Sequence, residues 1–331
     1  MPIIPRPRPS GDFSPREGLI VSLGNPGNFP EIQELLEVVG DEPVSGTSNT
    51  DFLFARDDLP KTIYGLEGND YVYTNNGPSF IVGDEGDDFL NGGFANDTIL
   101  GGLGDDQISS EGGENLLLGN EGDDGISASG SNIIYAGKGD DGVDVYFSEG
   151  NNIIYGDKGD DNLNGALTGN DTLDGGEGND NLQGFFGDDL LSGGEGWDFL
   201  TGNGGFDTLQ VARSSQGSFD IIIGFEDGVD AIALEGLTYD EIVVGPAGVD
   251  AVELSARLVA GTGSTFTMVN PENLEMSQNS VSSIPPIAES DIVIKVADTD
   301  EVLAVIRPII FVPDGVLPFP VLTEDDFISI I

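Results

Sequence analysis

From Gly65 to Gln210 the chain repeats at a period close to nine residues, and this restricts its fold more than any other feature. Well-kept copies are Gly101 to Ser109, Gly175 to Gln183 and Gly193 to Thr201, each reading G-G-x-G-x-D-x-U-x with U aliphatic. The U position runs through Val72, Ile81, Leu90, Ile99, Ile108, Leu117, Ile126, Ile134, Val143, Ile154, Leu163, Leu173, Leu182, Leu191, Leu200 and Leu209, sixteen copies in all. Spacing departs from nine only at Ile134 (eight), Ile154 (eleven) and Leu173 (ten), and slips of this kind fit turns rather than strands. Six glycine-rich residues form a turn that needs positive φ and close backbone approach, and x-U-x forms a very short strand. Two repeats make one coil, so sixteen repeats stack eight coils of parallel strands at about 4.8 Å, a slab roughly 38 Å long. The fold class is all-β: a parallel β-roll, a right-handed solenoid with two repeats per coil.

Charge then decides what such a slab needs. Residues 65 to 210 carry 30 Asp plus Glu against two bases, Lys138 and Lys158, while only one aliphatic per repeat points inward. Self-repulsion and glycine entropy should outweigh that thin burial in plain water, so this stretch should be unfolded without metal. The whole chain has 60 acidic and 11 basic residues, a formal charge of −49, which disfavours nucleic acid and anionic membrane and favours cations. With no Cys and no His, thiol catalysis, thiolate zinc, imidazole ligands and histidine general bases are excluded. Oxygen ligands remain, and they suit hard cations. Calcium accepts about six to eight oxygens from carboxylates and backbone carbonyls in a flexible geometry, and glycine turns present such carbonyls.

At this point the sequence resembles the RTX (repeats-in-toxin) family of secreted bacterial proteins, with hemolysin-type calcium-binding nonapeptide repeats, over 146 residues. The resemblance implies a parallel β-roll that binds Ca2+ between successive turns on the same side. The sixth-position Asp of one turn and of the turn two repeats later would share an ion, with carbonyls completing the shell. Carried over residue by residue, the odd-numbered turns hold Asp70, Asp88, Asp106, Asp124, Asp141, Asp161, Asp180 and Asp198, a complete ladder with seven gaps for ions. Their turn backbone is marked by Gly68, Gly86, Gly104, Gly122, Gly139, Gly159, Gly178 and Gly196. The even-numbered turns hold Ser79, Asp97, Asn115, Asn132, Asn152, Asp171, Asp189 and Asp207. Only the last three Asp residues there are adjacent, so two full even-side sites are expected and at best weak ones at the Asn turns. The expected total is about nine strong calcium sites.

The residues flanking U divide in the same way. Even repeats place Phe80, Val82, Leu100, Leu116, Leu118, Ile133, Tyr135, Ile153, Tyr155 and Leu190 outward, whereas odd repeats after the first two flank U mostly with Gln, Ser, Gly, Asp, Asn and Thr. One sheet face is therefore apolar, and an exposed stripe of that size marks a contact with the chain's own ends or with another molecule.

Three segments follow. Residues 1 to 60 form a flexible Pro-rich tail and a capping helix, Glu31 to Val39, with Ile32, Leu35, Leu36 and Val39 on one face and Gly40 as a stop. Residues 65 to 210 are the roll. Residues 211 to 331 form a β-rich cap with runs at Phe219 to Phe225, Ala231 to Leu234, Glu241 to Val244, Phe266 to Val269, Asp291 to Val296 and Val302 to Ile306. The end, Leu322 to Ile331, places acids before a hydrophobic terminus and is similar to the uncleaved C-terminal signals of type I secretion; a plain final strand is an equally fair reading. The start, Met1 to Pro9, lacks the apolar run of a Sec-type signal, and no segment reaches 18 consecutive apolar residues, so no membrane insertion is expected.

The functional expectation is a secreted, non-catalytic calcium-binding protein of the cell surface or extracellular matrix that folds once outside, using the type I secretion machinery for export. One alternative is an adhesin or self-assembling surface-layer protein acting through the apolar face. A second is a calcium-dependent enzyme or toxin accessory module. Against the second, residues 1 to 60 are too few for a catalytic fold, and the adjacent acids at Asp188-Asp189 follow from the turn pattern. Ice binding needs aligned Thr, and the flanking positions offer only scattered Thr98, Thr172, Thr201 and Thr208.

Overall fold

A computed structural model of the chain describes residues 34–38, 41–215, 217–226, 229–237, 242–246, 292–296, 299, 302–307 and 327–330. Among these residues every regular element is a strand. From Glu34–Val38 to Ala231–Glu235 successive strands alternate between two sheets, one of fourteen described strands and one of twelve, and neighbouring strands within a sheet pair in parallel one coil apart. We call the sheet that carries the odd-repeat strands the odd sheet and its partner the even sheet.

Each U side chain points between the sheets. Ile81, Leu90, Ile99, Leu117 and Ile134 have no solvent exposure, and all sixteen U residues belong to one continuous buried cluster. The register keeps them in file: Ile99 pairs with Leu117, Leu117 with Ile134, Ile134 with Ile154 and Ile154 with Leu173. The irregular spacings leave this pairing untouched, because the extra or missing residues lie in turns. The eleven-residue repeat, for example, bulges between Asp144 and Ile153, leaving Phe147 78% exposed. Lys138 and Lys158 stand in register on neighbouring even-sheet strands and are flanked by Glu121 and Glu177, with ion pairs of 2.6 Å and 2.5 Å. These pairs are exposed and contribute little to stability.

The coil extends past both ends of the 65–210 array. Asp51–Ala55 and Lys61–Glu67 precede it with Leu53 and Ile63 in the core file, and Asp220–Ile223 and Ala231–Glu235 follow it with Ile222 and Ile232. Val302–Arg307 then pairs in parallel with Asp220–Ile223 and carries Ile292–Val296 and Ile242–Pro246 in antiparallel order. Phe327–Ile330 is a strand parallel to Ala231–Glu235. The run expected at Phe266 to Val269 lies outside the described residues. Over the last coils the outer face of the odd sheet is covered: Phe199, Phe219, Ile221, Val293, Val302 and Val305 form a second buried cluster with Trp197 against it.

The capping helix expected over Glu31 to Val39 is corrected by the structure. Glu34–Val38 is a strand, paired in parallel with Asp51–Ala55 with Leu36 opposite Leu53. The end of a solenoid offers a row of unpaired N–H and C=O groups, and satisfying them outweighs the weak helical preference of a segment this short.

On the even face, Ile133, Ile153 and Leu190 are exposed, while Phe80, Val82, Leu116, Tyr135 and Tyr155 are half-buried. Leu118 is buried, flanked in register by Leu100 and Tyr135. Tyr135 and Tyr155 stack with ring centroids 4.9 Å apart. An aromatic group also lies at the start of the odd face, where Phe52, Tyr71 and Phe89 form one stacked column beside Phe54 and Tyr73.

Candidate metal centre

The site is built from the turn upward. At Gly86 the chain runs at φ 135°, and a Cβ there would collide with the carbonyl oxygen of Gly68 in the preceding coil, so only glycine lets the turns stack at strand spacing. The first glycine of each turn does something different. Gly83 stands against Asp88 of its own turn, and a methyl on it would collide with Asp88 Oδ2 and come 2.7 Å from the carbonyl oxygen of Gly101 in the next coil. The absent side chain therefore leaves a small space bounded by one carboxylate oxygen and one backbone carbonyl. The same arrangement recurs at Gly46, Gly65, Gly101, Gly156 and Gly175.

The odd-edge aspartates are held identically. One oxygen, Oδ1, accepts the backbone N–H of the sixth-position residue one coil earlier: Asp88 from Asp70 at 2.7 Å, Asp106 from Asp88 at 2.8 Å, Asp124 from Asp106 at 2.8 Å and Asp141 from Asp124 at 2.7 Å. Asp161, Asp180 and Asp198 continue the row at 2.8 Å. The other oxygen, Oδ2, is buried without a hydrogen-bond partner at Asp70, Asp88, Asp106, Asp124, Asp141, Asp161, Asp180 and Asp198. Burial pushes these carboxyls up, to about 7 at Asp70, Asp106, Asp124 and Asp161, about 8 at Asp88 and Asp141, and about 9 at Asp180. Neighbouring carboxylates add to the rise, and the backbone N–H donors oppose it.

A row of desolvated, unpartnered carboxylate oxygens is costly to keep unless a cation accompanies it. The donor set fits calcium: hard oxygens, two carboxylates from successive coils and carbonyls from glycine turns. Among the described residues no three acidic side chains converge on one point, as expected where backbone carbonyls supply much of the shell.

The even edge is divided. Asp189 and Asp207 repeat the odd-edge geometry, each with an unpartnered buried Oδ2, and their Oδ1 atoms accept from Asp171 N–H at 2.8 Å and Asp189 N–H at 3.0 Å. Asp171 differs, because its Oδ2 accepts the N–H of Ala166 at 2.7 Å. Asp97 Oδ2 accepts from the Ser110 hydroxyl at 3.3 Å.

Three residues that the repeat pattern passed over extend the ladders. Asp51 N–H donates to Asp70 Oδ1, and Asp51 keeps a buried oxygen without a partner. Asp220 lies beyond Asp198 and is buried, its carboxyl pushed well above the usual range by burial and then by Asp198. Asp230 Oδ1 accepts the N–H of Asp207 at 3.1 Å, but its Oδ2 is occupied by the N–H of Glu226 at 2.7 Å, so it continues the row without an open oxygen. Asp51-Phe52-Leu53, Asp220-Ile221-Ile222 and Asp230-Ala231-Ile232 all keep D-x-U, so that fragment, read without its glycines, was the available signal.

A family model of the RTX calcium-binding nonapeptide repeat matches residues 64–99, 73–108, 91–126, 126–144, 148–167, 166–196 and 174–209. The break between 144 and 148 falls in the bulged eleven-residue repeat. Residues 64–144 and 148–209 are thus an array of RTX calcium-binding repeats, folded as a parallel β-solenoid. A comparison of the chain with curated proteins gave no match.

Proposed function

We propose that this is an exported, non-catalytic protein of the cell surface or extracellular matrix that folds as it binds extracellular calcium. The observation that carries the reading is the row of buried, unpartnered Oδ2 atoms from Asp70 to Asp198. In the low calcium of a cytosol such a row opposes folding, and in millimolar calcium the ions turn it into the spine of the molecule. Export through a type I system suits a chain that stays unfolded until it is outside. Within the repeat array, seven gaps from Asp70 to Asp198 on the odd edge and two between Asp171, Asp189 and Asp207 make about nine strong sites. The non-catalytic reading is supported by a sequence without His or Cys, whose paired acids follow the turn pattern.

The test is a calcium titration of EDTA-stripped protein followed by far-UV circular dichroism and by emission of Trp197. That ring lies against Phe219 at 4.6 Å, and its backbone N–H donates to Asn179 at 3.1 Å, so it reports on the Asp198 turn. Both signals should change together at submillimolar to millimolar calcium, with magnesium failing to replace it because it demands near-octahedral geometry. A metal-free protein already folded would overturn the coupling.

A second reading, adhesion or assembly through the even face, is favoured by the exposure of Ile133, Ile153 and Leu190. It predicts concentration-dependent association in calcium by analytical ultracentrifugation.

A further inference from the structure

The even edge contains a set of donors that the odd edge lacks. Asn115 Nδ2 donates to Asn132 Oδ1 at 2.7 Å and to the Gly112 carbonyl at 3.1 Å. Asn132 Nδ2 donates to Asn152 Oδ1 at 2.9 Å and to the Gly130 carbonyl at 3.3 Å. Asn152 Nδ2 donates to Asp171 Oδ1 at 3.0 Å and to the Gly150 carbonyl at 2.9 Å. Each amide thus joins Oδ1 of the next coil to a carbonyl of its own turn, and its Nδ2 puts an N–H donor where an odd-edge aspartate has its unpartnered Oδ2. The orientation of the amides is set by the backbone: Asn115 Oδ1 accepts the N–H of Asp97 at 2.8 Å and Asn152 Oδ1 that of Asn132 at 3.0 Å, which turns Nδ2 toward the acceptors.

A second column changes with the first. The first-glycine position of the even turns reads Thr74, Gly92, Ser110, Ala128, Val145, Gly165, Gly184 and Gly202, as the register of the odd-sheet strands fixes. Glycine precedes Asp97, Asp171, Asp189 and Asp207, whereas a side chain precedes Ser79, Asn115, Asn132 and Asn152. Ala128 and Val145 are buried and put hydrocarbon where glycine leaves space beside the carboxylate. Thr74 Oγ1 instead donates to the Gly92 carbonyl at 2.6 Å, and Ser79 Oγ donates to Thr74 Oγ1 at 2.9 Å. Asp97, the one Asp-with-Gly turn in this stretch, receives its donor from Ser110. At the head of the column stands Lys61, in register with Ser79, its side chain buried and ion-paired with Asp57.

We infer that from Lys61 to Asn152 the even edge is closed by its own side-chain donors and takes no calcium, so that calcium enters this edge only along Asp171, Asp189 and Asp207. This rests on the calcium reading of the aspartate ladders. The ion-dependent part of the roll is then one-sided: the odd edge over its whole length, the even edge only toward its C-terminal end.

The experiment is a long-wavelength anomalous-difference map from crystals of the full chain grown in excess calcium. Ions are expected in the odd-edge gaps and between Asp171, Asp189 and Asp207, with none between Ser79 and Asp97, Asp97 and Asn115, Asn115 and Asn132, Asn132 and Asn152, or Asn152 and Asp171. An ion in any of those five gaps overturns the inference, whereas a map without ions on the odd edge overturns the calcium reading itself. In solution, Asn132→Ala should leave the calorimetric calcium count unchanged and lower the melting temperature in calcium, while Asp124→Ala removes about two ions. A reduced count in Asn132→Ala would likewise overturn it.

Discussion

At Gly83 a hydrogen stands where any other residue would place a carbon against Asp88 Oδ2. Gly83→Ala should therefore cost about 1–3 kcal/mol of stability in calcium, measured by chemical denaturation, and raise the calcium midpoint of folding. The chain already holds one departure in this column: Ala136, buried, occupies the equivalent place ahead of Asp141. The reverse change, Ala136→Gly, should lower the calcium midpoint. Asp124→Asn keeps an acceptor for the N–H of Asp106 and removes one charge shared by two gaps. The variant should bind about two fewer calcium ions by calorimetry. The glycine and aspartate columns were legible in the sequence because both are demanded by local geometry. Asp51, Asp220 and Asp230 were not, because they keep the D-x-U fragment without the full set of turn glycines, and only strand register brings them into line.

The element is a strand of a few residues with one side chain in the core. Leu117 has no solvent exposure and is paired on both sides, to Ile99 and to Ile134. Leu117→Ala should destabilise the calcium-bound protein by about 2–5 kcal/mol, read from denaturant midpoints. Since each coil touches only its neighbours, hydrogen exchange in that variant should speed up most in the strands around Leu117 and least near the ends. The same logic explains Glu34–Val38. Its leucine and valine spacing fits a helical face, yet a strand forms, since the choice is made by the open edge of Asp51–Ala55 and not by local preference. No local pattern contains that edge.

For the whole molecule the governing term is the charge of −49 set against a core one side chain wide. Removal of calcium with EDTA should abolish the β signal in circular dichroism, and 1 M NaCl should not restore it. Salt screens the exposed carboxylates but gives no partner to the buried Oδ2 atoms. On the even face, Ile133→Ser and Ile153→Ser alter exposed positions and should change stability by about 0.5 kcal/mol or less. If association in calcium uses that face, the double variant should remain monomeric at concentrations where the parent associates.

The period of nine, the single file of aliphatics, the glycine turns and the aspartate rows are all written in the sequence, because each coil repeats the same short-range steric and electrostatic problem. That determined a two-sheet parallel solenoid and the residues facing its edges. Tertiary structure decided where the solenoid ends, since the flanking strands join by pairing with an open edge rather than by repeating the motif. It also decided which edge needs ions, because whether Oδ2 meets a donor depends on the residue one coil away: Ser110 for Asp97, and no partner for Asp88.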